Sequence, residues 1–105
     1  MNRVCGLLDE QKAQDVVALD VKGQSSVTDY YVIASGLSAP HLKAIFNDLQ
    51  VALKTEGVPC YRRSGEPEGG WMVLDYVDVI IHVFLPEQRS YYALEALWDQ
   101  ATRVA

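Results

Sequence analysis

Two apolar runs near the middle of the chain, Trp71–Tyr76 and Val79–Phe84, constrain the fold more than any other stretch. Successive side chains of a strand point to opposite faces of its sheet. Apolar residues occupy both alternating sets of positions in these runs, so the pattern predicts two strands covered on both sides and joined by a tight connection at Val77–Asp78. The polar exceptions, with which any chemical interpretation begins, are Asp75, Asp78 and His82.

The remaining elements follow from the spacing of apolar residues and from turn-forming residues. In chain order they are a short amphipathic helix within Met1–Gln14, a hairpin of strands Asp15–Val21 and Val27–Ser35, a long helix, a short edge strand Val58–Arg63, and a final helix from about Gln88 to Thr102. The segment Ser64–Gly70 has the composition of a mobile loop.

The long helix carries the clearest boundary signals. Ser38 is a good N-cap, Pro40 falls in the first turn, where a missing N–H has no consequence, and Gly57 is a natural C-cap. Between them, apolar residues recur at spacings of three and four, which predicts one buried stripe. Because this helix lies between the second and third strands, it permits a right-handed crossover to a parallel neighbour.

These elements predict a fold of the α/β class (mixed α+β), with about five strands in a mixed sheet and helices packed on it. A chain of 105 residues has no room for a second independent core. Residues 1–105 are therefore predicted to form a single domain.

The charge of the chain narrows the classes of partner. The formal net charge is -5 at pH 7, whereas a protein held to nucleic acid by phosphate neutralisation needs a basic surface. Direct sequence-specific binding of nucleic acid is therefore not expected. On a nucleoprotein particle, the expected contact is a basic protein rather than bare RNA.

The sequence also predicts a compartment. The longest apolar stretch, around Val79–Leu85, is interrupted by His82 and is too short to span a membrane, and no secretory signal is visible. Cys5 and Cys60 have no metal-ligand spacing and are predicted to be free thiols in a reducing environment. A soluble cytoplasmic protein without a membrane partner is expected.

One catalytic alternative stays open. The turn Ser35–Ser38 joins a strand to a helix, where N–H groups and hydroxyls could hold a phosphate, as in a small nucleotide-binding or nucleotidyltransferase-like enzyme. Metal-dependent nucleotidyl transfer requires carboxylates paired on one strand face, yet the chain has no Asp-x-Asp, and Glu66-x-Glu68 lies in the predicted loop. His82 has apolar neighbours and fits a core histidine better than a base. We therefore predict no enzyme, no catalytic residue, no metal ligand and no cofactor.

The aromatic residues favour a binding module instead. Tyr and Trp are the usual anchors of protein interfaces, and a sheet of few strands leaves edges that a partner can cover. The chain has many such residues for its size: Tyr30, Tyr31, Trp71, Tyr76, Tyr91, Tyr92 and Trp98.

Several blocks of sequence, taken together, resemble a known family. They are Asp29–Gly36 (DYYVIASG) followed by Ser38, Trp71–Tyr76 (WMVLDY), Asp78–Phe84 (DVIIHVF) and Arg89–Trp98 (R-x-x-Y-x-L-E-x-L-W). In this order and spacing they are similar to the ribosomal silencing factor (Iojap-like) family. The resemblance extends from Asp15 to Asp99 and covers nearly the whole chain.

The resemblance implies both a fold and a function. The fold is expected to look like a nucleotidyltransferase core that lacks the catalytic carboxylates. Members of the family bind the fourteenth protein of the large ribosomal subunit, block subunit joining and lower translation, and they are often homodimers. No cofactor is implied.

The resemblance also implies a set of partner-binding residues. Carried onto this sequence, they are Trp71, Asp75, Tyr76, His82, Arg89, Asp29 and Tyr92. One position departs from the family pattern, because Val77 stands where the family most often has Gly. From this departure we expect that the connection before Asp78 does not require a positive φ.

Overall fold

The computed structural model describes residues 2–22, 28–87 and 102–103 of the chain. Its elements, in chain order, are α1 (Asn2–Glu10), β1 (Gln14–Asp20), β2 (Tyr30–Ser35), α2 (Ala39–Thr55), β3 (Arg62–Glu66), a 3₁₀ turn (Pro67–Gly69), β4 (Trp71–Asp75), β5 (Val79–Phe84) and β6 (Thr102–Arg103). Residues 86 and 87 are helical, and the rest of the predicted final helix lies outside the described residues. The prediction for Thr102 itself is wrong, since this residue pairs with Asp20 as part of β6.

The strands form one mixed sheet in the order β3-β4-β5-β2-β1-β6. Only the pairing of β2 with β5 is parallel among the described strands, and the other neighbours are antiparallel. The predicted mixed sheet and the β1–β2 hairpin are confirmed. The predicted crossover differs, because α2 leads to β3 at the far edge of the sheet, whereas the parallel neighbour of β2 is β5. The short strand β6 adds a sixth strand to the five that the sequence predicts.

Helix α2 forms as its boundary signals predict. The Ser38 side chain accepts a hydrogen bond from the His41 backbone N–H at 3.2 Å, and Pro40 lies in the first turn. Gly57 follows the last turn with φ +85°, the left-handed conformation that ends many helices. The helix buries one apolar stripe against the sheet, consisting of Leu42, Ile45, Phe46, Leu49 and Leu53.

The two faces of the sheet carry separate apolar clusters. Helices α1 and α2 pack on one face, over Met72, Leu74, Ile81 and Val83. The other face carries a second cluster of Val17, Leu19, Val21, Ile33 and Phe84, with Tyr31 and Trp71 packed against it. Strand β5 is buried on both faces, as predicted. Strand β4 is not, because Trp71, Val73 and Asp75 alternate with the buried residues and are only half-buried.

The segment before β4 differs most from the prediction. The edge strand begins at Arg62 rather than Val58, and Ser64–Glu66 pair with Trp71–Val73 although the composition predicts a loop there. Gly65 makes this pairing possible. Its φ is +89°, and its α-carbon lies so close to the Trp71 carbonyl that a β-carbon would overlap it. The predicted position at the sheet edge is confirmed.

Candidate partner-binding surface

The residues predicted to bind a partner fall into three places. Trp71 and His82 lie together on the face of the sheet opposite α1 and α2, Asp75 and Asp29 lie at one end of the sheet, and Tyr76 packs on the helix side. The predicted contacts Arg89 and Tyr92 lie outside the described residues. The structure therefore does not bring all of these residues into one patch.

Trp71 and His82 form a hydrogen-bonded pair. Strand β4 places Trp71 opposite Phe84, and β5 places His82 two residues earlier on the same face, opposite Val73. The Trp71 indole N–H donates to His82 Nδ1 at 3.0 Å, and the Tyr31 ring centroid lies 5.5 Å from that of His82. Because Nδ1 accepts, the neutral imidazole carries its proton on Nε2.

Burial decides the charge of this histidine. Only 8% of His82 is exposed, and desolvation lowers its pKa to about 4. The side chain is therefore neutral near pH 7 and is suited to accept the Trp71 N–H. Since little of its surface can reach a partner, its direct effect is to orient the half-buried indole, in keeping with the core-histidine interpretation.

The β4–β5 turn, residues 76–78, has an unusual backbone. Val77 has φ +71°, a conformation that is an outlier for a β-branched residue. Asp75 Oδ1 accepts from the Val77 N–H at 2.7 Å, and the Tyr76 N–H donates to the Val79 carbonyl at 2.8 Å. The expectation that this connection does not need a positive φ is wrong, because strands β4 and β5 leave only three residues to reverse the chain.

Tyr76 points toward the helices. It packs against the cluster under α1 and α2 and lines a cavity of about 230 Å³ with Val4, Leu53 and Val79. Its hydroxyl makes no hydrogen bond with any described residue, and burial, assisted by the nearby Cys60 thiol, raises its pKa to about 12. In this position Tyr76 packs on the helix side of the sheet and supports the β4–β5 turn.

Four aspartates converge at one end of the sheet. Strand β1 ends at Asp20, β4 ends at Asp75, and Asp29 and Asp78 immediately precede β2 and β5. The antiparallel and parallel pairings bring all four ends to the same side. The Asp29 N–H also donates to the Asp78 carbonyl at 3.2 Å. We call these residues the acidic end; Asp20 and Asp78 are additions to the site that the sequence predicts.

Next to the acidic end lies a cleft of about 390 Å³, lined by Tyr61, Arg62, Asp75 and Val77. Tyr61 is 66% exposed and Val77 is 54% exposed. The backbone N–H of Tyr61 donates to the Asp75 carbonyl at 2.9 Å, which places the two sides of the cleft against each other. We call this feature the Tyr61–Val77 cleft. No sequence signal pointed to Tyr61, because its position depends on how β3 pairs with β4.

Two N–H groups of the turn Ser35–Ser38 are already hydrogen-bonded within the protein. The Leu37 N–H donates to His41 Nδ1 at 2.9 Å, and the Gly36 N–H donates to the Phe84 carbonyl at 2.8 Å. His41 Nε2 lies 2.8 Å from the Gln11 carbonyl, so this side chain ties α2 to the end of α1. The N–H groups of Gly36 and Leu37 are therefore not available to a phosphate. Within the described residues, no three His, Cys, Asp or Glu side chains are grouped as metal ligands.

The comparisons with known proteins agree on one family. The family model described as "Ribosomal silencing factor during starvation" matches residues 1–105. The chain is 37% identical over 97 residues to Ribosomal silencing factor RsfS of Halalkalibacterium halodurans, covering 92% of this chain and 83% of that protein. It is 32% identical over 114 residues to the Mus musculus protein named "Mitochondrial assembly of ribosomal large subunit protein 1", covering 100% of this chain and 50% of the mouse protein.

A solved structure shows the same fold. A crystal structure of a Chromobacterium violaceum protein superposes with a TM-score of 0.86 at 37% sequence identity, covering 90% of this chain and 79% of that one. The mixed α/β fold that the sequence predicts is thus shared with an experimental structure. In the part of the chain that is described, neither helix has the length and apolar character needed to cross a membrane.

Proposed function

Because this chain belongs to the ribosomal silencing factor family, we propose that it binds the large ribosomal subunit through its fourteenth protein, blocks subunit joining and so represses translation. The observation that carries the proposal is the match of the family model over residues 1–105. The mouse relative's name, which refers to assembly of the ribosomal large subunit, supports the choice of subunit.

The proposed mechanism is steric and needs no chemical step. A small domain bound on the surface that meets the small subunit excludes that subunit by mass action. The net charge of -5 complements the basic character of a ribosomal protein, which chiefly speeds and orients association. We accordingly propose a non-catalytic protein without a cofactor.

We propose Trp71 as the central anchor of the contact. Its indole is half-buried, lies on the face away from α1 and α2, and is oriented by His82. Asp75 and Asp29 would supply negative charge at the acidic end, and Tyr76 would support the β4–β5 turn that follows Asp75. The remaining proposed contacts, Arg89 and Tyr92, lie beyond the described residues.

We further propose that the protein is a cytoplasmic homodimer. Both cysteines are free, which is usual for proteins of reducing compartments. The dimer is carried over from the family resemblance alone. Sedimentation equilibrium over a range of concentrations tests it, and a mass that stays that of one chain would refute it.

A subunit-joining assay tests the main proposal. Purified large and small subunits are mixed with and without the protein and separated on a sucrose gradient. We expect fewer joined ribosomes and co-sedimentation of the protein with the large subunit, and we expect the isolated fourteenth protein to compete for it. Unchanged joining, with the protein left at the top of the gradient, would refute the proposal.

A further inference from the structure

We propose that the Tyr61–Val77 cleft receives a basic segment of the ribosomal partner, with an apolar side chain of that segment seated between Tyr61 and Val77 and its Lys or Arg side chains over the acidic end. This inference rests on the proposed function and deepens it. It adds Tyr61, Val77 and Asp78 to the residues that the family resemblance implies.

The first support is the exposure of the two apolar side chains. Tyr61 and Val77 are among the few large hydrophobic residues of the described chain that remain more than half exposed. They face one cleft of about 390 Å³, which has room for one large side chain. The Arg62 guanidinium lies 5.5 Å from the Tyr61 ring centroid and restricts the ring on one side. A restrained, exposed tyrosine beside a cleft is typical of an interface anchor.

The second support is the backbone of Val77. The turn needs φ +71° at this position, which glycine adopts without strain and a β-branched residue does not. The isopropyl group gains little in the free protein, because 54% of the residue is exposed. Strain that no packing contact offsets is typical of functional sites. A partner side chain that covers Val77 would supply the missing contact.

The third support is charge, which selects the kind of partner. Beside the cleft, Asp29 and Asp78 are exposed, and Asp75 uses one carboxylate oxygen within the turn. Two of the described cations near this end already contact an aromatic ring: the Arg62 guanidinium lies 5.5 Å from the Tyr61 ring centroid, and Lys22 Nζ lies 4.9 Å from the Tyr30 ring centroid. Four aspartates lie at this end, and the chain as a whole carries a net charge of -5. The surface therefore favours a basic polypeptide over RNA, whose phosphates it would repel, and over a second acidic copy of this chain.

The test measures the affinity of full-length variants for purified large subunits by biolayer interferometry. We expect Tyr61→Ser to weaken binding about tenfold or more, as for an interface anchor, and Asp78→Asn to weaken it several-fold, mainly at low salt. Val77→Gly keeps the turn but removes the side chain, so it should weaken binding while making the protein more stable. If Val77 had only a structural role, Val77→Gly would not weaken binding and stabilise the protein at the same time.

Two control variants lie on the exposed side of α2. Val51→Ser removes an apolar side chain that is 65% exposed, and Asp48→Asn removes an exposed carboxylate. Both should leave the affinity within about twofold of the wild type, because surface residues outside an interface contribute little to it. Equal losses in these controls and in the cleft variants would overturn the assignment of the cleft.

The outcomes separate the inference from the function. If the wild type binds large subunits and the cleft variants bind equally well, the cleft inference is wrong and the proposed function stands. If the wild type does not bind, the proposed function fails and the inference fails with it. If Tyr61→Ser instead dissociates a dimer without changing the affinity for large subunits, the cleft holds a second copy and the inference is overturned.

Discussion

Lowering the pH from 7 to 5 should destabilise the protein through His82. Its pKa is lowered by burial from 6.5 to about 4 in the folded state, so between these values the unfolded chain binds more protons than the folded one. The contribution of His82 to the free energy of unfolding is therefore fully present above pH 6.5, and it is lost as the pH falls toward 4. The linkage relation gives a loss of about 2 kcal/mol between pH 7 and pH 5.

The structure supplies the reason for this loss. Protonation would place a second donor at Nδ1, opposite the Trp71 indole N–H that now donates to it at 3.0 Å. The hydrogen bond would be lost inside a site where only 8% of His82 is exposed. A neutral residue that keeps an acceptor at this position should remove the pH dependence and leave Trp71 in place. Asparagine is the matched choice, because its Oδ1, like Nδ1 of histidine, is bonded to Cγ.

Urea unfolding of the wild type and His82→Asn at pH 7 and pH 5 measures the effect. Other titrating groups are common to both proteins, so the change in their stability difference isolates His82. We expect that difference to shift by about 2 kcal/mol in favour of the variant at pH 5. A difference that stays constant with pH, or an NMR titration that places the His82 pKa near 6.5, would refute the reasoning.

Three further substitutions have defined outcomes. Trp71→Ala should weaken binding to the large subunit by about 2 kcal/mol, measured by biolayer interferometry, and unchanged affinity in a folded variant would remove Trp71 from the site. Val77→Gly should raise the unfolding free energy by about 1 kcal/mol by relieving the left-handed strain, whereas a lower melting temperature would refute that account. Gly65→Ala should lower the free energy of unfolding by at least about 2 kcal/mol more than Gly57→Ala does. The reason is that both glycines have a similar positive φ, but of the two only Gly65 faces a backbone carbonyl. Equal losses of stability in urea unfolding would contradict this prediction.

Sequence patterns predicted the elements whose signals are local. The boundaries of α2 depend on Ser38, Pro40 and Gly57, which act on the backbone within one turn of themselves. Strand β5 was recognisable because burial on both faces leaves a run of apolar residues with few interruptions. Strand β4 was recognisable from a similar apolar run, although one of its faces is only half-buried. The pairing of Trp71 with His82 follows from strand alternation once the β4–β5 turn is known, although the hydrogen bond itself does not.

The errors concern features that depend on distant parts of the chain. The composition of Ser64–Gly70 predicted a loop, yet Ser64–Glu66 pair with β4 and form part of the edge strand. The presence of Val77 instead of Gly indicated an unstrained connection, yet the short β4–β5 turn imposes a positive φ on whatever residue occupies the position. In both cases hydrogen bonding to a neighbouring strand outweighed the local preference of the residues.

The sequence by itself determined the mixed fold, the main helix, the central strands and, through its family resemblance, the expected partner. Only the tertiary structure decided that Asp20, Asp29, Asp75 and Asp78 meet at one end and that Tyr61 faces Val77 across a cleft. The physical reason is that capping and periodicity act over a few residues, whereas strand order and direction determine which ends of distant segments become neighbours.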